Sequence, residues 1–226
     1  MSRDILALLI AYLLGSLPFS YLVTKRRTGL DIREVGEGNA GARNVWHVVG
    51  PGWGALVAAL DTGKGLLAYY VGRDLGASQV MPLFCGFAVA LGHGFPLLRW
   101  KQGGKGVAVT LGFLLGMLPG STALGGLAFG LMYLWQRDFN RSINVACAAV
   151  IFLPLAFGEP LLVTVYVLAL MLTLGLKKII DMPHEQRVWA HSGWTDGARP
   201  GFYGEKGEKD SSATSSPGQE AAPRSG

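Results

Sequence analysis

Two short glycine-rich segments combine flexible backbone with charged and amide side chains. The first reads G-E-G-N-A-G-A-R-N over residues 36–44, and the second reads G-G-K-G over residues 103–106. Glycine-rich turns can aim several backbone N–H groups at one point, which makes a site for an anion. Each segment therefore predicts phosphate binding. The structural alternative for the first is a turn that caps a helix at the membrane surface, and for the second a turn with a snorkelling lysine.

The second segment predicts the sharper chemistry, because G-G-K-G, which contains Lys105, directly precedes an apolar run that starts at Val107. Free N–H groups and the positive dipole end at the start of a helix favour phosphate, and the lysine adds a full charge there. The segment is not a Walker A motif, since Gly106 replaces the serine or threonine that would hold magnesium. Nucleotide hydrolysis is therefore disfavoured.

Ionisable residues also occur inside apolar stretches. Asp61 and Lys64 are three residues apart, so both can lie on one face of a helix as an internal ion pair or as part of a functional cavity. His93 is either a substrate-binding residue or a hydrogen-bonded structural histidine. Cys85 and Cys147 lie singly in apolar runs, and the four histidines lack the spacing of metal ligands. The sequence predicts no metal site and no cofactor.

The composition indicates which elements must position these groups. Of 226 residues, 50% are hydrophobic and only 15% are charged, whereas soluble domains carry about 25% charged residues. The net charge of +5 is concentrated in short connections, where it reports membrane topology and not nucleic-acid binding. We expect an all-α polytopic membrane helix bundle with no nucleic-acid partner.

Apolar runs define the expected crossings. Residues 5–23 form the first run, close to the roughly 20 residues needed to span a bilayer, and residues 51–71 and 80–98 form the next two. Residues 107–136 and 143–176 are each too long for one helix and are interrupted by proline and glycine, so each predicts a hairpin of two helices. The basic segments then all face the cytoplasm. About seven transmembrane helices result, with the N-terminus outside and the C-terminus cytoplasmic.

Three parts follow along the chain. Residues 1–180 are expected to form the transmembrane domain, and residues 181–203 a cytoplasmic interfacial segment without an assigned role. Residues 204–226 are rich in Gly, Ser, Glu and Lys, a composition typical of a disordered polar tail.

Four motifs taken together resemble a known family. They are G-S-L-P-F-S-Y-L in the first run, D-I-R-E-V-G-E-G-N-A-G-A-R-N-V, D-T-G-K-G, and G-H-G-F-P-L-L-R-W-K-Q-G-G-K-G-V-A. Their order and spacing over roughly residues 10 to 115 are similar to those of the PlsY family of bacterial membrane glycerol-3-phosphate acyltransferases. The resemblance implies a bundle of seven membrane helices in the inner membrane with an active site on the cytoplasmic side.

The resemblance also implies a reaction and its partners. An acyl group would pass from acyl phosphate to glycerol 3-phosphate, forming lysophosphatidic acid and phosphate. Membrane lipids surround such an enzyme, and other enzymes of phospholipid synthesis are candidate partners. The alternative is a non-catalytic or re-purposed membrane protein of the same fold that binds a lipid phosphate or transports an anion.

The motifs assign residues to this chemistry. The candidate catalytic residues are Lys105, Glu37 and His47. The candidate substrate-binding residues are Gly36, Gly38, Asn39, Gly41, Arg43, Asn44, Asp61, Lys64, His93, Lys101, Gly103, Gly104 and Gly106.

The chain departs from the family pattern at several of these positions. The family usually has serine where Glu37 stands, threonine or serine at Arg43, and arginine at His47, and its C-terminal H-R-x-N-I-like pattern has no clear match in residues 177–194. Glu37 is either a general base or the ion-pair partner of Arg43. We favour the pair, because an unpaired carboxylate beside phosphates would repel them.

Overall fold

The computed structural model describes residues 3–97 and 102–192, and the elements in these two ranges are helices with no strand. Nine helices lie in the described part of the chain. They are α1 (Arg3–Ser16), α2 (Phe19–Thr28), α3 (Ala42–Val48), α4 (Pro51–Leu75), α5 (Met81–Gly94), α6 (Val107–Met117), α7 (Pro119–Gln136), α8 (Phe139–Ala156) and α9 (Leu161–Ser192).

The first apolar run is broken, so the prediction of one continuous helix over residues 5–23 is wrong. Helix α1 ends at Ser16 and α2 begins at Phe19, because Pro18 has no N–H to donate and disfavours the helical conformation of the residue before it. The break leaves the carbonyl of Leu17 facing inward. It accepts a hydrogen bond from Lys64 Nζ of α4 at 3.0 Å.

The other predicted runs are helical with shifted ends. The run 51–71 extends to Leu75 in α4, and the run 80–98 ends early, at Gly94 in α5. Pro96 follows two residues later, and a helix normally ends before the residue that precedes a proline. Each of the two long runs contains two helices, as the positions of their prolines and glycines predict.

Helix α9 is long enough to serve two environments. Its 32 residues correspond to about 48 Å, which exceeds the roughly 30 Å hydrocarbon core of a bilayer. The helix passes through the expected domain boundary at residue 180 without a break and ends at Ser192. Its last three turns, residues 181–192, are called the α9 arm below.

Among the described residues, three helical stretches have the length and composition needed to cross a membrane. They are Arg3–Thr28, which includes the break at Pro18, Phe139–Ala156 and Leu161–His191. Two shorter apolar helices are Met81–Gly94 and Val107–Met117. The number of seven crossings and their orientation stay predictions.

Glycines bring α4 and α6 into backbone contact. A Cβ atom at Gly65 would lie 1.9 Å from the carbonyl oxygen of Val109, and a Cβ atom at Gly112 would lie 1.9 Å from that of Thr62. Small residues at both sides of a crossing let membrane helices pack backbone against backbone. Asp61 and Lys64 are therefore held at a fixed distance from the start of α6.

Helices α1 and α5 cross in the same reciprocal way. A Cβ atom at Gly15 would lie 2.2 Å from the carbonyl oxygen of Val89, and one at Gly92 would lie 2.1 Å from that of Tyr12. The crossing places the break between α1 and α2 beside the C-terminal end of α5. The apolar core fills the space between these two helix pairs, and its fully buried members include Ala11, Val89, Phe113, Leu114 and Leu170.

The crossing of α4 and α6 predicts that alanine substitutions at Gly65 and Gly63 have different effects on thermal stability. Gly65→Ala forces a methyl group into the backbone of α6 and should destabilise the protein by roughly 1–3 kcal/mol, which lowers the thermal midpoint by on the order of 5 °C. Gly63 has no atom within 4 Å of its ideal Cβ position, so Gly63→Ala should keep or raise the midpoint. Thermal unfolding of both variants in detergent measures the difference. Equal midpoints would contradict the close crossing.

Candidate active site

One asparagine organises the loop that joins α2 to α3, residues 29–41, called loop 1. Asn44 Nδ2 donates to the carbonyl oxygens of Ile32 at 2.8 Å, Val35 at 3.0 Å and Asn39 at 2.8 Å. Its Oδ1 accepts from the backbone N–H of Glu37 at 2.8 Å. Asn44 is fully buried. Its side chain therefore holds the loop in shape, and the ligand contact expected from the sequence is replaced by contacts within the loop.

The same asparagine requires glycine at one position of the loop. Gly36 has φ 61°, and a Cβ atom there would lie 2.1 Å from Asn44 Oδ1. Both the backbone conformation and the lack of space exclude a side chain. Gly36 thus acts through the shape of loop 1, and Gly41 likewise forms the N-cap position of α3.

The second glycine segment lies between α5 and α6, and its described residues, 102–106, are called loop 2. The sequence predicts that its backbone N–H groups bind an anion, but two of them donate to carbonyl oxygens of α5. Gly103 N–H donates to the carbonyl of Gly94, and Gly104 N–H donates to that of His93, each at 3.2 Å. The expectation that these two amides face an anion is wrong for this conformation, because they satisfy the last carbonyls of α5 instead. Gly106 forms the N-cap position of α6. Lys101 lies outside the described residues.

The two loops meet. A Cβ atom at Gly104 would lie 2.2 Å from His93 Nε2 and 2.8 Å from the carbonyl oxygen of Ala40 in loop 1. Ser20 Oγ donates to the same carbonyl at 2.8 Å and thereby ties loop 1 to α2. The segments near residues 40 and 104, which the sequence predicts to face the same side of the membrane, therefore lie side by side in the fold.

A cavity of about 230 Å³ lies where the loops, the break after α1 and helices α4 and α5 come together. This is far more than the roughly 10–15 Å³ that one water needs. Its polar lining includes Ser16, Ser20, Arg33, Asp61, His93 and Gln102, together with the backbone of Gly103 and Gly104.

Three ionisable side chains meet beside this cavity, and two of them, Asp61 and His93, line it. Lys64 Nζ lies 2.8 Å from Asp61 Oδ1, and both side chains are about 3% exposed. His93 Nδ1 lies 3.9 Å from the same carboxylate oxygen. The predicted ion pair of Asp61 and Lys64 is confirmed. Since Asp61 and His93 also line the cavity, the ion pair and the cavity are parts of one arrangement.

A second ion pair lies within loop 1 and α3. Arg43 Nε is 3.2 Å from Glu37 Oε1, and His47 Nε2 is 3.6 Å from the same oxygen. The Arg43 guanidinium also lies over the ring of Phe139, 4.9 Å from its centroid. The pairing of Glu37 with Arg43, which the sequence favours, is confirmed.

The α9 arm supplies residues that sequence reasoning did not assign. Lys105 Nζ lies 3.0 Å from Glu185 Oε1, and Asn39 Nδ2 donates to the same oxygen at 3.1 Å. Lys177, Asp181 and Glu185 are four residues apart, so they share one helical face. Lys177 pairs with Asp181. The four-residue spacing in the sequence indicates a charged helical face, but it does not indicate which loop that face contacts.

Further contacts hold the arm on loop 1. His184 Nε2 lies 2.9 Å from the carbonyl oxygen of Arg33, and Trp189 Nε1 donates to the carbonyl of Glu37 at 3.1 Å. Gly38 leaves room for the arm, because a Cβ atom there would lie 3.1 Å from Val188 Cβ.

The described residues contain no group of three or more His, Cys, Asp or Glu side chains arranged to hold a metal ion.

Comparison with known proteins agrees with this architecture. Residues 5–184 match the model of the family described as glycerol-3-phosphate acyltransferase. The chain is 40% identical over 154 residues to the glycerol-3-phosphate acyltransferase of Syntrophomonas wolfei, covering 68% of this chain and 78% of that one. It is 35% identical over 186 residues to glycerol-3-phosphate acyltransferase 2 of Moorella thermoacetica, covering 82% of this chain and 94% of that one.

A solved structure shares the fold. The crystal structure of PlsY, an integral membrane glycerol 3-phosphate acyltransferase, in its glycerol 3-phosphate form superposes with a TM-score of 0.71 at 28% identity, covering 81% of this chain and 92% of that chain. Its lysophosphatidic acid form gives a TM-score of 0.68 at 26% identity. The match extends over most of both chains. The chain belongs to the PlsY family of glycerol-3-phosphate acyltransferases.

Proposed function

We propose that the protein transfers an acyl group from an acyl phosphate to glycerol 3-phosphate, forming lysophosphatidic acid and inorganic phosphate. The observation that carries this proposal is the meeting of both glycine loops at one cavity, with Gly104 on its wall and Lys105 next in the chain. Membership in the family supports the acceptor. A similar structure exists with glycerol 3-phosphate and another with lysophosphatidic acid.

The reaction needs placement more than a protein nucleophile. An acyl phosphate already carries a good leaving group, so the protein must align a hydroxyl with the acyl carbon and balance the charge that develops. The hydroxyl oxygen bonds to that carbon, the bond to the phosphate oxygen breaks, and the hydroxyl proton goes to a base. Among the described residues of the two loops and α3, Lys105 and Arg43 are partly exposed, at 27% and 26%, and we assign them to the phosphates.

The cavity offers one imidazole as the base. His93 lines the cavity, and Asp61 lies 3.9 Å from its Nδ1. A carboxylate on that side favours a proton on Nδ1, which leaves Nε2 as the acceptor. The alternative acceptor is an oxygen of the substrate's own phosphate, which requires no protein base.

We also propose that the protein lies in the bacterial inner membrane with the cavity open toward the cytoplasm. Lys25, Arg26 and Arg27 end α2 directly beside loop 1, and basic residues concentrate on the cytoplasmic side of membrane proteins.

A second function is favoured by one specific observation. Arg43 and Lys105 are each neutralised by a carboxylate, Glu37 and Glu185. A site balanced in this way suits a membrane protein of the same fold that binds a lipid phosphate without transferring an acyl group.

Removal of the loop 2 lysine tests the proposed reaction. Purified protein given acyl phosphate and glycerol 3-phosphate should release phosphate and lysophosphatidic acid, and Lys105→Ala should lower kcat/KM by about 10²–10³, as expected when a charge-stabilising group is lost. Lys178→Ala removes the same charge from an exposed position on α9 and should stay within about twofold of the unchanged protein. Equal activity of the two variants would discard the assigned phosphate site.

The role of His93 predicts a separate kinetic signature. His93→Gln keeps a polar side chain but no proton acceptor of suitable basicity, so kcat should fall by about 10²–10⁴ while KM for glycerol 3-phosphate changes little. The matched control is His191→Gln, whose side chain is exposed near the end of α9. An unchanged kcat in His93→Gln would assign the proton to the substrate phosphate instead.

Genetic replacement separates the two functions. A bacterial strain whose own membrane glycerol-3-phosphate acyltransferase is switched off should grow when this chain is expressed, and it should not grow with Lys105→Ala. Membrane insertion of both proteins is checked by blotting the membrane fraction. Failure of the unchanged chain to support growth, with normal insertion, would favour the binding protein.

A further inference from the structure

Lys25 Nζ, at the exposed end of α2, donates to the carbonyl of Gly29 in loop 1 at 2.7 Å, and five other cations at the loops or the cavity each have a carboxylate partner. The pairs are Arg33 with Asp31, Arg43 with Glu37, Lys64 with Asp61, Lys105 with Glu185, and Lys177 with Asp181. A phosphate that approaches any of these five cations therefore meets a charge that is already paired. In a partly buried environment of low dielectric, a phosphate without its own cation is costly, so binding requires that one of these cations change partner.

Exposure indicates which cation can do so. The side chains of Arg33, Lys64 and Lys177 are 6%, 3% and 4% exposed, and breaking such buried pairs leaves an uncompensated charge inside the protein. Lys105 and Arg43 are more exposed, at 27% and 26%, so a long hydrated side chain can change from one oxygen to another at either position. Of these two pairs, that of Lys105 with Glu185 is the one whose contacted carboxylate oxygen also accepts a hydrogen bond from Asn39 of loop 1, and it is the pair considered for exchange.

The carboxylate of Glu185 lies where donors from two different loops converge. Lys105 of loop 2 approaches Oε1 at 3.0 Å, and Asn39 Nδ2 of loop 1 donates to the same atom at 3.1 Å. Glu185 itself is 2% exposed. A charged donor and an amide donor directed at one anionic oxygen are the arrangement that also binds a phosphoryl oxygen.

Glu185 reaches this point from a separate element. The α9 arm is fixed on loop 1 on both sides of it, by His184 at the Arg33 carbonyl and by Trp189 at the Glu37 carbonyl. The position of the Glu185 carboxylate is thus set by the packing of the α9 arm on loop 1 and not by the conformation of the loops.

We propose that Glu185 is an intramolecular competitor of the substrate phosphate. Its carboxylate occupies the oxyanion position formed by Lys105 and Asn39, and a phosphate monoester binds by displacing it. The name of the substrate rests on the proposed function, whereas the exchange of anions requires only that a phosphate bind there. Glu185 accordingly sets the affinity of the site for phosphate and keeps Lys105 paired while the site is empty.

The test is phosphate binding to Glu185→Gln, which keeps the shape and an acceptor for Asn39 but removes the competing charge. Isothermal titration of the full chain in a neutral detergent with sodium phosphate, and then with glycerol 3-phosphate, should give a dissociation constant lower by on the order of tenfold. Asp74→Asn is the matched control for net charge, because Asp74 is exposed and pairs with Arg73. It should bind as the unchanged protein does.

A double-mutant cycle identifies the cation. In a Lys105→Ala background the Glu185→Gln change should no longer tighten binding, because the displaced partner is absent. If Glu185 is only a structural strut, Glu185→Gln lowers the thermal midpoint and leaves phosphate affinity unchanged or weaker, which overturns the proposal. Glu185→Asp provides a second variant, since its shorter carboxylate retracts from Lys105. Failure of both variants to tighten binding also overturns it.

Binding and turnover keep this inference separate from the proposed reaction. Tighter phosphate binding by Glu185→Gln in a chain without acyltransferase activity supports the anion exchange and removes the proposed function. An active chain in which Glu185→Gln leaves both phosphate affinity and KM for glycerol 3-phosphate unchanged removes the exchange and keeps the function. In an active chain the expected result is a lower KM.

Discussion

The close approach of backbone to backbone is the constraint on which the site depends. Loop 1 and loop 2 can meet because Gly104 has no Cβ to strike His93 and the Ala40 carbonyl. The helices that carry the loops are fixed by the same means, since glycines at the crossings of α1 with α5 and α4 with α6 exclude any larger side chain. In a membrane, packing of this kind replaces much of the hydrophobic driving force that holds soluble cores together. The high glycine content therefore serves the positions of helices as much as the flexibility of loops.

Charge balance is the second physical requirement, and it explains the distribution of carboxylates. A buried cation without a partner is costly, and beside the cavity Lys64 pairs with Asp61 next to the neutral acceptor of the Leu17 carbonyl. The break at Pro18 is what leaves that carbonyl free of a helical hydrogen bond. A local irregularity of the first helix thereby helps to stabilise an ion pair on the fourth. Without the break at Pro18, Lys64 would lose the Leu17 carbonyl as an acceptor, and without Lys64 that carbonyl would lose its side-chain donor.

The sequence predicts local features well because their partners are close in the chain. The pairs of Asp61 with Lys64 and of Glu37 with Arg43 follow from separations of three and six residues, and the splitting of the long runs follows from their prolines. The break at Pro18 has the same kind of local signal, a proline, but it lies inside a run without charges, whose length alone favours one continuous helix. The contact of Lys105 with Glu185 spans 80 residues and depends on how α9 extends past the bilayer, which no local pattern specifies. The amides of loop 2 were assigned to an anion because whether glycine N–H groups cap a helix or bind a ligand is decided by which carbonyls the tertiary fold brings near.

One amide links the two ion pairs that surround the loops. Asn39 Nδ2 contacts Glu37 Oε2 at 3.5 Å and Glu185 Oε1 at 3.1 Å, so it lies between two carboxylates that would otherwise repel each other. Each carboxylate has its own cation, Arg43 or Lys105, and the amide donates to both without adding charge. The group is neutral as a whole, and a change at one carboxylate alters the field at the other. Because every charge in this group already has a partner, an added anion can bind a cation of the group only by displacing the carboxylate paired with it.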